Sequence, residues 1–244
     1  MYLGCITPDG DCIPTLIVAY TYNFVQMHIY DHCQIGNHME PQDDQRIIIR
    51  NGSRILTPQE YQRLRAELPP EYRVFTDVLI TTGLRIVEFW SLKKNKHWYH
   101  RSSKVIDLPK EGAAKKPKCK QTDRAVRLSD KAIDALDKLF SDDWDVKDRN
   151  SFRGALYRAA DRAGLPGKRV YKDEKLIGVE GINPKMFRKC CISALVECRK
   201  ELGIDGLDIE ASMGHSQDTM IKNYLGIGFS KEAHDAMVEF HKGW

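Results

Sequence analysis

From Leu56 onward, apolar residues recur at helical spacing, and the breaks fall where caps and turns belong. Thr57-Pro58-Gln59-Glu60 combines an N-cap threonine, a proline at the first helical position and a glutamate at N3. It predicts a helix with Tyr61, Leu64 and Leu68 facing inward and a stop at Pro69-Pro70. A second helix is predicted from about Glu71 to Thr82, with Val74, Phe75, Val78 and Leu79 inside and Gly83 as its C-cap. Arg85 follows at once and opens a third helix over 86–92, with Glu88 one turn on, either orienting a neighbour by hydrogen bonding or pairing with Arg85 at the surface.

Lys104–Leu108 and Ala125–Leu128 read as strands of a small antiparallel sheet, joined by the loop from Pro109 to Arg124. Helices follow from Ser129 to Phe140 (Ile133, Leu136 and Leu139 inward) and from an Asn150 cap to Gly164 (Phe152, Leu156, Ala159 and Ala163 inward). An acidic loop, Ser141–Lys147, lies between them, and Lys168–Glu180 reads as a short hairpin. Asn183-Pro184 forms an N-cap and first helical residue for a helix with Phe187, Cys190, Cys191, Ala194, Leu195, Cys198 and Leu202 at helical spacing, ending before Gly203. Gly214 reads as a C-cap, a helix from about Ser216 or Asp218 carries Tyr224 near its end, and an amphipathic helix starts at Ser230 beyond the hinge-like Gly226-Ile227-Gly228. The fold class expected is mainly α with a small antiparallel β-sheet (α+β). Residues 1–54 show less pattern: Thr15–Tyr30 reads as one or two strands, and Met39–Gln45 and Asn51-Gly52-Ser53 as linkers. The expected division is a short N-terminal segment, 1–54, and one domain, 55–244.

A hydrophobic content of 42% supports a proper core, and no apolar run reaches membrane-span length. Neither a signal peptide nor a targeting tail is evident, so a cytoplasmic location is expected. Seven cysteines, two of them adjacent on a predicted core helix, read as reduced thiols and not as a disulfide framework. Cys5, Cys12, His28, His32, Cys33 and His38 fit no zinc-ligand spacing. The net charge of +4 hides its distribution: Lys93 to Lys131 holds thirteen Lys/Arg against four Asp/Glu, leaving 25 against 30 elsewhere. A basic block in an otherwise acidic chain suggests a localised polyanion-binding face.

Lys185 and Arg188 lie three residues apart in the first turn of their helix, where cations oppose the dipole and suit a site that receives phosphate. Gly214-His215 and Tyr224 follow. Lys185-x-x-Arg188, Gly214-His215 and Tyr224 resemble the second box of the tyrosine recombinases, the phage-integrase family. Thr82-Gly83-Leu84-Arg85-x-x-Glu88 resembles the first, and the resemblance covers about residues 55 to 244. One departure is Lys185, where the family usually has histidine. With the Met-x-x-x-Tyr ending and Gly-Trp terminus it is most similar to integrases of archaeal viruses and plasmids.

The resemblance implies the tyrosine recombinase catalytic-domain fold and a site-specific recombinase that cleaves and rejoins DNA through a 3′-phosphotyrosine, for integration or excision of a mobile element. It implies Arg85, Lys118, Lys185, Arg188, His215 and Tyr224 as catalytic residues. Lys118-Cys-Lys120-Gln-Thr-Asp-Arg124-x-Val126 is similar to the family hairpin whose lysine protonates the leaving oxygen, with Lys120 as the other choice. Lys115, Lys116, Lys120 and Arg124 are candidate DNA contacts, and Arg153, Arg158 and Arg162 face either the DNA groove or solvent. No metal or other cofactor is implied. The partners implied are double-stranded DNA at attachment sites and further copies of the chain in a tetramer, with no membrane. The last helix is expected to dock on a neighbouring protomer. The alternative is a truncated or impaired remnant that only binds DNA.

Overall fold

The computed structural model describes residues 47–109, 123–142, 144, 148–214, 217–224 and 227–244. The chain runs through the hairpin β1 (Ile48–Arg50) and β2 (Ser53–Ile55), then helices α1 (Pro58–Ala66), α2 (Pro70–Thr82) and α3 (Ile86–Lys94). Strands β3 (Tyr99–His100), β4 (Val105–Leu108) and β5 (Arg124–Arg127) follow, then α4 (Asp130–Ser141) and α5 (Arg149–Arg162). The hairpin β6 (Arg169–Lys172) and β7 (Lys175–Val179) leads into α6 (Lys185–Glu197), α7 (Gly206–Met213), α8 (Gln217–Tyr224) and α9 (Lys231–Phe240). The mainly helical class with small antiparallel sheets is as the pattern predicted. No helix among the described residues is long and apolar enough to cross a membrane.

Capping chemistry sets the helix ends much as read. Thr57 and Glu60 make the reciprocal capping box of α1, and Gly83 closes α2 with φ of 64°. At α6, Asn183 Oδ1 accepts the Lys185 N–H (3.0 Å) and Pro184 already has helical angles. Elsewhere the ends move. Asp148, not Asn150, caps α5, because its carboxylate accepts both the Asn150 and Ser151 amides (2.7 and 2.9 Å). Helix α6 stops at Glu197 and not near Leu202; turns carry the chain to Gly203, whose φ is 66°.

Asn51-Gly52 is not a linker but the two-residue turn of β1–β2, with φ of 45° and 67°. Asn-Gly between Ile-rich flanks is a hairpin signal, since both turn residues must take positive φ. The hairpin packs on α6, where Arg54 N donates to Gly181 O (2.8 Å) and Asn183 Nδ2 to Gly52 O (3.0 Å). Residues 48–54, read from sequence as part of the N-terminal segment, therefore pack with the body.

Helix α6 is buried on most sides, with Met186, Phe187, Cys190, Cys191, Ile192 and Leu195 all inside. A helix apolar nearly all round belongs at a centre. The main core joins it to α2 and α5 through Phe75, which meets Phe89, Phe152 and the Trp90 ring at centroid distances of 5.0, 6.3 and 5.9 Å. In the three-stranded sheet, ordered β3-β4-β5, Ile106 pairs with Val126 and Leu108 with Arg124. Period-two alternation turns Ile106, Leu108 and Val126 to the core, and it puts Arg124 on the same face as Val126. The expectation for the last helix concerned a neighbouring protomer; within this chain α9 lies on α1 and α6, with Ala233 and Met237 against Ala194 and Cys198.

Phe75→Ala is expected to destabilise the body by about 3–5 kcal/mol, because the ring leaves a cavity that three other aromatic rings cannot collapse to fill. Urea denaturation of the variant against wild type measures the loss; a change below about 1 kcal/mol would contradict this packing.

Candidate active site

Two guanidinium groups pair with one buried carboxylate, and a third acts on it through its charge. Glu88 sits on the first turn of α3 with its side chain 1% exposed. Its Oε2 accepts the Arg85 backbone N–H (2.7 Å) and Arg124 Nη2 (2.7 Å), and its Oε1 accepts Arg85 Nη1 (2.7 Å). The backbone bond caps α3, so the same carboxylate that starts the helix also aims two arginines. Of the two sequence readings for Glu88, orientation of a neighbour holds; its burial excludes a surface pair.

Arg188 comes in from α6 and is 7% exposed. Its Nη1 donates to Gly83 O (2.6 Å) and its Nη2 to Met213 O, which ties together the C-terminal ends of α2 and α7. Both helices end in a left-handed glycine, Gly83 and Gly214. A Cβ on Gly83 would lie 2.8 Å from Met213 Sδ and 3.1 Å from Cys191 Sγ, and one on Gly214 3.0 Å from Arg124 Nη1. The two glycines are thus required by close approach as well as by φ.

Tyr224 ends α8, is 5% exposed and packs among Cys191, Ile209, Met213 and Met220. Burial raises its phenol above the ordinary value, and the positive charges of Arg188 and Arg85 offset only part of that rise. These arginines and the tyrosine therefore share one electrostatic environment. Burial pushes the Arg188 guanidinium down to about 9, and the like charges of Arg85 and Arg124 act in the same direction. Arg188 still carries its charge at neutral pH. For Glu88, burial alone would raise the carboxyl, but Arg124, then Arg85 and Arg188, outweigh it and hold it below the ordinary range. Three guanidinium groups thus lie within electrostatic reach of one buried carboxylate, with Asp123, Asp208 and Glu210 lining the cleft beside them.

The cluster opens on a cleft of about 570 Å³ between β4–β5 and α7, lined by Arg85, Arg124 and Arg127 together with Asp123, Asp208 and Glu210. The Arg85 side chain is 30% exposed there, and that of Arg124 only 9%, with its Nε buried and unpaired among the described residues. Lys185 departs from Arg188 despite the i, i+3 spacing: it stays exposed at the first residue of α6 and lines a different cleft. Lys115, Lys116, Lys118, Lys120 and His215 lie outside the described residues, as do the N-terminal cysteines and histidines. Arg124, a candidate DNA contact from the sequence, is largely buried and pairs with Glu88. Its inward aim could have been read from Arg124-x-Val126-x-Leu128, whose alternation puts all three on the buried face.

The phage integrase family model matches residues 54–230, and the chain belongs to that family. Among solved structures it is similar to the Tn1549 transposon integrase in complex with circular intermediate DNA (17% identity, 75% of this chain and 66% of that one, TM-score 0.50). A variant of that integrase with another circular intermediate DNA matches at 16% identity, over 84% and 68% of the two chains, with a TM-score of 0.51. XerA recombinase is similar at 17% identity, over 82% and 66%, with a TM-score of 0.49. No curated protein matches. At such identities the likeness shows the fold, and the chain spans just under two thirds of the first of these structures.

Glu88→Gln is expected to destabilise the body by about 3–5 kcal/mol, since it leaves buried guanidinium groups without their counter-charge. The pH dependence has a definite sign. A carboxyl held low in the folded state contributes stability that is present above its unfolded value and lost as pH falls through the folded one. Wild type should therefore lose stability below about pH 4 more steeply than Glu88→Gln does. Denaturation midpoints from pH 3 to 7 check this; parallel curves would contradict it.

Proposed function

We propose that the chain is a site-specific DNA recombinase that cuts and rejoins strands through a covalent 3′-phosphotyrosine, serving integration or excision of a mobile element. The observation that carries this is the buried cluster of Arg85, Arg124 and Arg188 about Glu88, with Tyr224 packed against Cys191 on the helix that carries Arg188. Tyrosine ionises near pH 10 and is a weak nucleophile at neutral pH, so the site must stabilise charge on the phosphate instead. Arg85 and Arg188 would grip the non-bridging oxygens, and their planar forks suit that geometry.

In this reading the Tyr224 oxygen attacks the scissile phosphorus as its proton leaves, and the phosphorus–oxygen bond to the 5′ side breaks. Lys118, with Lys120 the other choice, would supply the proton to the departing 5′ oxygen. His215 would donate to the same phosphate. Lys185 would stand in for the family's histidine, as a charged donor or as the base that takes the phenol proton. Lys115, Lys116, Lys120 and Arg124 would serve DNA contact, with Arg124 acting from inside the cluster. The new ester conserves the bond energy, and a 5′ hydroxyl from another strand reverses the step, so no nucleotide or metal is consumed. The substrate would be double-stranded DNA at attachment sites, cleaved in cis within a tetramer. An archaeal virus or plasmid origin rests on Lys185 and the C-terminal pattern alone, and the comparisons do not carry it.

Incubation with nicked duplex from the host element's attachment region should give a protein–DNA band that survives a denaturing gel. Tyr224→Phe should abolish it, and Arg188→Ala should slow its formation by about 10²–10³-fold, as loss of a charge-stabilising donor does. A band that persists in Tyr224→Phe would remove the assigned nucleophile. Salt-sensitive DNA binding with no band in wild type would mean a binding remnant.

A further inference from the structure

Stability alone does not explain the position of Arg124. It opens β5 opposite Leu108, on the face that Ile106, Leu108 and Val126 turn to the core, so an apolar side chain there would continue the buried surface. The Arg124 side chain is instead 9% exposed, and its Nε is buried without a partner among the described residues. Burial lowers its guanidinium, Glu88 opposes that, and the like charge of Arg85 adds to it. A buried ion pair of this kind is often no better for stability than apolar groups of similar volume, and an unpaired buried donor is a further cost.

What Arg124 does is divide a carboxylate. Left to themselves, a guanidinium and a carboxylate commonly join by two parallel bonds, fork to fork. Arg65 shows this in the same chain: it binds both oxygens of Asp77, with Nε on Oδ1 (2.7 Å) and Nη2 on Oδ2 (2.8 Å). Arg85 and Glu88 do not close in this way. Oε2 of Glu88 takes Arg124 Nη2 and the Arg85 backbone N–H, both at 2.7 Å. Only Oε1 is left for the Arg85 side chain, which reaches it through Nη1 (2.7 Å). Among the described residues the Arg85 guanidinium makes no other hydrogen bond or ion pair, and its side chain, 30% exposed, lines the 570 Å³ cleft.

We propose that Arg124 is a positioning residue for strand cleavage. By occupying one oxygen of Glu88, it restricts that carboxylate to a single bond with the Arg85 side chain and leaves the rest of the Arg85 fork free for the scissile phosphate. The bare Gly214 backbone is part of the device, since a Cβ there would lie 3.0 Å from Arg124 Nη1 and push the guanidinium off its oxygen. The proposal rests on the reading of the chain as a DNA-cleaving recombinase.

The test separates rate from affinity, using the full chain and nicked duplex raised to saturation. Arg124→Gln should form the Tyr224 adduct about 10²-fold more slowly than wild type even at saturating duplex, as a misplacement of about 1 Å at a reacting centre does. Arg124→Lys keeps one charged donor for Oε2, which is all the proposal requires, and should recover most of that loss. Circular dichroism shows whether each variant is folded. Equal losses in the two folded variants overturn the positioning role, because the packing of the fork and not the occupancy of Oε2 would then matter. A rate for Arg124→Gln that returns to wild type as duplex is raised also overturns it, since Arg124 would serve binding alone. Should Arg124→Gln fail to fold, Arg124→Lys decides: folded and slowed by about 10²-fold, it overturns the proposal. Wild type that forms no adduct overturns the functional reading and the positioning role with it, whereas a wild-type adduct beside an unslowed Arg124→Gln overturns the positioning role only.

Discussion

The site depends on one carboxylate holding two guanidinium groups in a place that water barely reaches. Glu88 makes three bonds of 2.7 Å, to the Arg85 backbone, the Arg85 side chain and Arg124, and from N3 its side chain caps the start of its own helix. A buried charge of this kind is tolerated only when it is paired and its hydrogen bonds are met. Arg188 enters from α6 and adds a third positive charge to the cluster, held by backbone carbonyls of Gly83 and Met213. Tyr224 stands in the field of Arg188 and Arg85.

The rest of the body can be understood as what keeps those four groups in register. Helix α6 crosses the centre, so Arg188 is anchored by apolar residues before and after it. The glycine ends of α2 and α7 let Arg188 reach two carbonyls, and at Gly214 leave room for the Arg124 side chain. The β-sheet contributes through its alternation, which presents Arg124 inward beside Val126. Each of these devices is local, yet they act on one point where α2, α3, α6, α7 and β5 meet.

Much of this was legible in the chain. The capping box at Thr57-Glu60, the Gly83 stop, the strand pair and the α6 start were read from residues whose conformational preferences are strong. So were the positions of Arg85, Arg188 and Tyr224. What was not legible depended on distant contacts. The spacing of Lys185 and Arg188 says they are near each other on a helix, but only the packing of α6 decides that Arg188 turns inward and Lys185 outward. Glu88 was readable as an i, i+3 partner of Arg85; that it also binds Arg124, 36 residues on, comes from the tertiary fold. Asn51-Gly52 and Arg124-x-Val126-x-Leu128 are different: their signals were local, a type of turn and a two-residue alternation, and they were simply read as something else.

The most direct test of the central claim is whether the arginine cluster takes an anion before any DNA is present. Thermal unfolding would be followed while sulfate replaces chloride at constant ionic strength, for wild type and for Arg85→Gln/Arg188→Gln. A bound anion stabilises the folded state in proportion to its occupancy, whereas general salting-out acts on both proteins alike. The account predicts a rise in Tm with sulfate for wild type that the double variant lacks. Equal rises in the two proteins would mean that the arginine cluster is not an anion site, and the phosphate clamp would lose its physical basis.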